Sequence, residues 1–176
     1  MNKNFISLVC NGLLYNLMWL GCITYKSAFI PIVLMWVCWL LICRSSVSER
    51  GLILFVVLMG GIFDSVLMQL QVFQFDQESK LIVPLWLWAI WLSFSLTLFH
   101  ALKALSKSVV LQILVGATFA PLAYFAGREF DAVQFGYSDR TTLIILGLAW
   151  AVLLPSFFLV KRILLESTEG THENFA

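Results

Sequence analysis

Runs of about 20 apolar residues, each bounded by charged segments, recur along this chain, and their length decides where it can fold. An α-helix rises about 1.5 Å per residue, so each run suits the roughly 30 Å hydrocarbon core of a bilayer. The runs fall at residues 5–23, 28–43, 52–73, 82–102, 109–127 and 141–160. None alternates with period two, so helices rather than strands are expected. Of 176 residues, 61% are hydrophobic and 12% charged, too little polar surface to coat a domain facing water. The expected fold is an all-α membrane protein, a bundle of about six transmembrane helices over residues 1–165. The stretch 166–176, "ESTEGTHENFA", reads as a polar, disordered cytoplasmic tail.

Charge placement sets an expected orientation. With six crossings, one side receives Lys3, Arg44, Arg50, Lys103, Lys107, Lys161 and Arg162. The other side receives Lys26, Lys80, Arg128 and Arg140, together with Asp76, Glu78, Glu129, Asp131 and Asp139. Basic residues favour the cytoplasmic side, so both termini are expected there. Pro31 and Pro84 fall near helix starts, where a missing N–H costs nothing. Pro121 and Pro155 fall inside runs and predict kinks. The first run ends in "WLGC" but is interrupted by Asn11 and Asn16, and reads as a retained helix rather than a signal peptide. Cys10, Cys22, Cys38 and Cys43 all lie in apolar segments without a CxxC pair, and read as buried thiols.

Asp64 is the residue hardest to reconcile with lipid. It lies in "GGIFDSVLMQLQVF", residues 60–73. On a helical wheel Gly60, Asp64, Met68 and Gln71 share one narrow face with Gly61 beside it. Small residues next to a polar one mark a face turned toward other helices. Trp86, Ile90, Ser93, Thr97 and His100 form a stripe on the fourth run, and Asn11, Tyr15, Trp19 and Cys22 form one on the first. Gln112, Gly116, Ala123 and Gly127 form a small-residue face on the fifth. Counting residues puts Asn16 and Ser93 near the depth of Asp64, with His100 some three turns nearer the cytoplasm.

The candidate intramembrane polar site is therefore Asp64, Asn16, Ser93, Thr97 and His100. Asp64 is either helix-packing glue or a functional group. Ser93 and Thr97 have the simpler role of bonding back to their own helix, and His100 that of an interfacial histidine. No HExxH, GxSxG or phosphate-binding glycine loop occurs, and the other histidine, His172, is in the tail. No catalytic residue, metal centre or cofactor is assigned. A net charge of +1 argues against nucleic acid.

Five stretches resemble one family of small bacterial inner-membrane proteins with no assigned function. They are "YNLMWLG", "GGIFDSVL", "VPLWLWAIWLSFSLTLFHAL", "APLAYFAGREFDAVQF" and "LAWAVLLP", spread over nearly the whole chain. Family members usually carry a glycine ahead of "PLAY" and a small or apolar pair where this chain has Glu129, Phe130 and Asp131. The resemblance implies a multi-pass protein of the bacterial inner membrane. It also implies a link to lipid, since members are often encoded beside lipid-modifying enzymes. The leading expectation is a non-enzymatic component that binds membrane lipid or another apolar molecule, or assists a lipid-modifying membrane or peripheral enzyme. A small transporter or proton-coupled carrier using Asp64 is the alternative. A third reading is an intramembrane enzyme acting on acyl chains through Asp64 and His100.

Overall fold

A computed structural model describes residues 3–44, 47–76, 81–99 and 101–173, with side chains at 10–42, 49–76, 81–99 and 101–164. Among the described residues the regular structure is helical apart from one two-residue strand pair. In order come α1 (Lys3–Tyr25), a 3-10 turn (Lys26–Phe29), α2 (Ile30–Arg44), α3 (Val47–Gln69) and β1 (Phe73–Gln74). After these come α4 (Leu85–Thr97), a 3-10 turn (Lys103–Lys107), α5 (Val109–Glu129), β2 (Gln134–Phe135) and α6 (Asp139–Glu173). Among the described residues four helical stretches are long and apolar enough to cross a membrane: Cys10–Ile42, Glu49–Gln69, Val109–Glu129 and Asp139–Leu164. The first runs from within α1 through the 3-10 turn into α2. Lys26 has φ 50° in that turn, and Phe29 is brought against the open side of Gly21.

α4 is the central element. Trp86, Leu87, Ala89, Ile90, Trp91 and Leu96 are all buried on it, and α1, α2 and α3 pack around it. Its 13 residues span about 20 Å, less than a bilayer core. Irregular backbone at membrane depth survives only where protein satisfies it. Here Leu102 N–H donates to the Thr97 carbonyl at 2.8 Å. The Lys161 ammonium reaches from α6 to donate to the Leu98 carbonyl at 2.5 Å, lying over the Phe99 and Phe158 rings. A cation on the last carbonyls of a helix also opposes its dipole. The expected fourth helix at 82–102 is thus shortened at both ends. Pro84 flanks its start and Lys161 holds its finish.

α5 packs along α6. Gly116 lies against the Trp150 carbonyl, so the two backbones touch there with no room for a side chain. Gly127 is also buried, and Pro121 and Pro155 are carried inside continuous helices. The outer surface is apolar: Leu13, Leu17, Met35, Trp39, Leu148 and Val152 are all exposed. Cys22 is buried but Cys10 and Cys38 lie on this outer surface. The expectation of uniformly buried thiols fails because lipid, like a core, is an apolar solvent.

Three further expectations change. The third helix stops at Gln69 rather than at 73, because Gln71 takes φ 58° and turns the chain. Strands do appear: β1 pairs antiparallel with β2, Phe73 opposite Phe135. This ladder ties the α3–α4 connection to the α5–α6 connection. α6 carries helical backbone to Glu173, into the stretch expected to be disordered. That stretch has no proline to stop it, and extending an existing helix is far easier than starting one.

Candidate functional site

Asp64 is fully buried on α3. One carboxyl oxygen accepts from Trp91 Nε1 of α4 at 2.6 Å, and the other accepts from the Tyr124 hydroxyl of α5 at 2.7 Å. Among the described residues no ion pair involves it. The local sequence explains the approach. Gly60, one turn before Asp64, leaves the space that the Trp91 indole fills, and Gly61 does the same for Trp88. Any side chain at Gly60 would overlap the indole. Next along, the Ser65 hydroxyl donates to the Gly61 carbonyl at 2.6 Å and accepts from Val83 N–H at 3.3 Å.

The two donors are themselves fixed by rings. Trp91 stacks on Trp150 of α6, 5.3 Å between centroids and 5° from parallel. Tyr124 stacks on Phe73 of β1 at 5.0 Å and 22°, and Phe73 is fully enclosed. Four helices therefore meet at one carboxyl through Asp64, Trp91, Tyr124 and Trp150. A carboxylic group that satisfies two buried donors at once can hold such a junction, because tryptophan Nε1 can only donate.

A cavity of about 550 Å³ opens beside this junction, between α1, α4, α5 and α6. Trp91, Tyr124 and Trp150 stand in its wall, which is otherwise mainly apolar: Trp19, Ile90, Phe94, Val115, Phe119 and Leu154 among others. It extends from Phe75, Trp86 and Ala132 near the strand ladder to Leu102, Ala104 and Leu105 at the far end of α4. Of the small face expected on the fifth helix, Gly116 lies against α6 and, with Ala123 and Gly127, also lines the cavity, as does the neighbouring Ala120.

The expected polar residues do not converge on Asp64. Asn16 donates to the Gly12 carbonyl at 2.8 Å within α1. Ser93 donates to Ala89 at 3.0 Å and Thr97 to Phe94 at 2.6 Å within α4. Asn16 and Thr97 nonetheless border the cavity. His100 lies outside the described residues. Gln71, expected on the Asp64 face, lies past the helix end and is exposed. Asp64 itself sits five residues from the end of α3, about 7 Å, and so nearer the strand ladder than a helix reaching residue 73 implied. Trp91 and Tyr124 were the partners that sequence reasoning missed. The signal was there, since a tyrosine or tryptophan deep in an apolar helix usually needs a partner for its polar atom. Among the described residues no group of three or more His, Cys, Asp or Glu is placed to hold a metal.

A family model described as "Protein of unknown function (DUF2878)" matches residues 8–156. That span includes all five stretches on which the resemblance rested. No curated protein and no solved structure matches the chain.

Proposed function

Given that the chain belongs to the DUF2878 family, whose function is unknown, we propose that it is a multi-pass membrane protein holding a lipid or another apolar molecule between α1, α4, α5 and α6. The cavity carries this reading. Its volume of about 550 Å³ lies within the range of ligand sites, roughly 300–1,000 Å³, and such sites are mainly apolar with a few polar groups. Here the polar side chains of the lining include Tyr15, Asn16, Thr97 and Tyr124, spaced along an aromatic wall. In this reading it serves as an accessory to a lipid-modifying enzyme of the bacterial inner membrane, presenting or storing its lipid.

The test is lipid retention. The protein purified in mild detergent is expected to hold about one lipid in native mass spectrometry. Ala120→Trp and Ala123→Trp, which fill the cavity, should abolish that adduct while the protein still melts cooperatively. Equal retention in the wild type and both variants would remove the reading.

The same proposal includes six crossings with both termini cytoplasmic. The apolar stretch Cys10–Ile42 has 33 residues. As one straight helix it would measure about 50 Å, well beyond a bilayer core. The turn at Lys26 supports two crossings instead. α4 then forms a short crossing sheltered by its neighbours. Reporter fusions at Ala176 and between Arg128 and Arg140 are expected to give opposite signals. Matching signals would rule out this arrangement.

A second reading, a proton-coupled carrier, is favoured by one observation: both donors to the Asp64 carboxyl stand in the cavity wall. A change in its protonation would reach the occupant through Trp91 and Tyr124. pH-dependent flux into vesicles, lost in Asp64→Asn, would select it over simple lipid holding.

A further inference from the structure

We propose that the occupant is an anionic lipid, its acyl chain in the cavity and its charged headgroup at the end marked by Lys103 and Lys107. This rests on the cavity reading above and adds the chemistry of the ligand. The cavity has two unlike ends. At the strand-ladder end, described acids outnumber bases: Asp76 and Asp131 are exposed, Arg128 is engaged by Glu129 and Asp139, and Arg140 is exposed next to Asp139. Lys26 shares a small cleft there with Asp76. A negative headgroup meets little net attraction at that end.

The opposite end differs. Leu102, Ala104 and Leu105 line the cavity, and Lys103 lies between the first two in sequence. Lys103 and Lys107 open and close the 3-10 turn, and both are exposed. Lys161 stands within electrostatic reach of Lys103, although its ammonium is committed to the Leu98 carbonyl. Glu49 also lies within electrostatic reach of Lys161. α5 begins directly after the turn, at Val109, so the positive end of its dipole falls at the same place. Ser108 caps that end by accepting from Leu111 N–H at 3.2 Å. An apolar channel leading to a basic rim is the shape of an amphiphile with a negative head. Lysines beside an anionic headgroup attract it at short range.

The experiment uses the full chain in neutral detergent and native mass spectrometry. Phosphatidylglycerol, phosphatidylethanolamine and diacylglycerol of matched acyl chains are offered in competition, with an arm containing inorganic phosphate. The wild type is expected to retain phosphatidylglycerol over diacylglycerol by about thirtyfold, the order set by two lysines at one headgroup. K103Q/K107Q should bring that ratio near unity while diacylglycerol binding stays unchanged. No preference in the wild type, an undiminished preference in the double variant, or full displacement of lipid by inorganic phosphate would overturn the proposal. Ala123→Trp separates the two levels. If it releases every lipid while K103Q/K107Q leaves the preference intact, the cavity reading stands and the headgroup assignment falls. If Ala123→Trp releases none, the cavity reading falls.

Discussion

Gly116→Leu is expected to lower the melting temperature of the detergent-solubilised protein by about 10 °C, corresponding to a loss of about 3 kcal/mol. A Cβ at this position would meet the Trp150 carbonyl oxygen, with Leu154 Cβ at 3.1 Å. The first obstacle is backbone, which cannot swing aside as a side chain can. α5 would have to move away from α6 along their shared length. In lipid that contact has no hydrophobic drive of its own and depends on close van der Waals approach. The loss should also reach the cavity, because Trp150 both receives Gly116 and stacks on Trp91. Leu114→Ala on the same helix is the comparison, since Leu114 is 58% exposed and should melt near the wild type. If Gly116→Leu melts no lower than Leu114→Ala, close α5–α6 contact is not what holds these helices together.

Most of the helical content was legible because apolar run length and charged boundaries report directly on membrane helices. The small-residue face containing Gly116 was legible for the same kind of reason: helical spacing puts those residues on one side. The end of α3 was not. Leu70, Val72 and Phe73 continue the apolar pattern, and only the backbone at Gln71 shows the turn. The shortness of α4 was hidden too, since the residues after Thr97 stay apolar and the group that satisfies their backbone, Lys161, comes from a distant helix. The site was half legible. Asp64 with Gly60 pointed inward, but depth counting favoured Asn16 and Ser93 as partners. Side chains with local acceptors took them, Asn16 at Gly12 and Ser93 at Ala89. Trp91 and Tyr124 had no such local alternative, since neither bonds its own helix, and they reached across to the carboxyl.

Asp64→Leu is expected to destabilise the protein by about 2–6 kcal/mol, because it strands two buried donors at about 1–3 kcal/mol each. Asp64→Asn should stay within about 1 kcal/mol of the wild type, because its amide can satisfy both neighbours. The amide oxygen accepts from Trp91 Nε1. The amide nitrogen then faces the Tyr124 oxygen, which can rotate its proton away and accept instead. Tyr124→Phe supplies the control. In the native background it removes one of the two bonds to Asp64 and should lower the melting temperature. In the Asp64→Leu background the hydroxyl has already lost its acceptor, so its removal should cost little or even help. This non-additivity is the signature of one shared contact. Equal melting of Asp64→Leu and Asp64→Asn, or an equal cost of Tyr124→Phe in both backgrounds, would show that the carboxyl is not what joins α3, α4 and α5. Lipid retention by Asp64→Asn then separates two roles for a junction that has survived those tests. An intact adduct fits a post that shapes the cavity wall. A normally melting Asp64→Asn protein without its pH-dependent flux would mean that the proton on the carboxyl, and not its shape, is what the cavity uses.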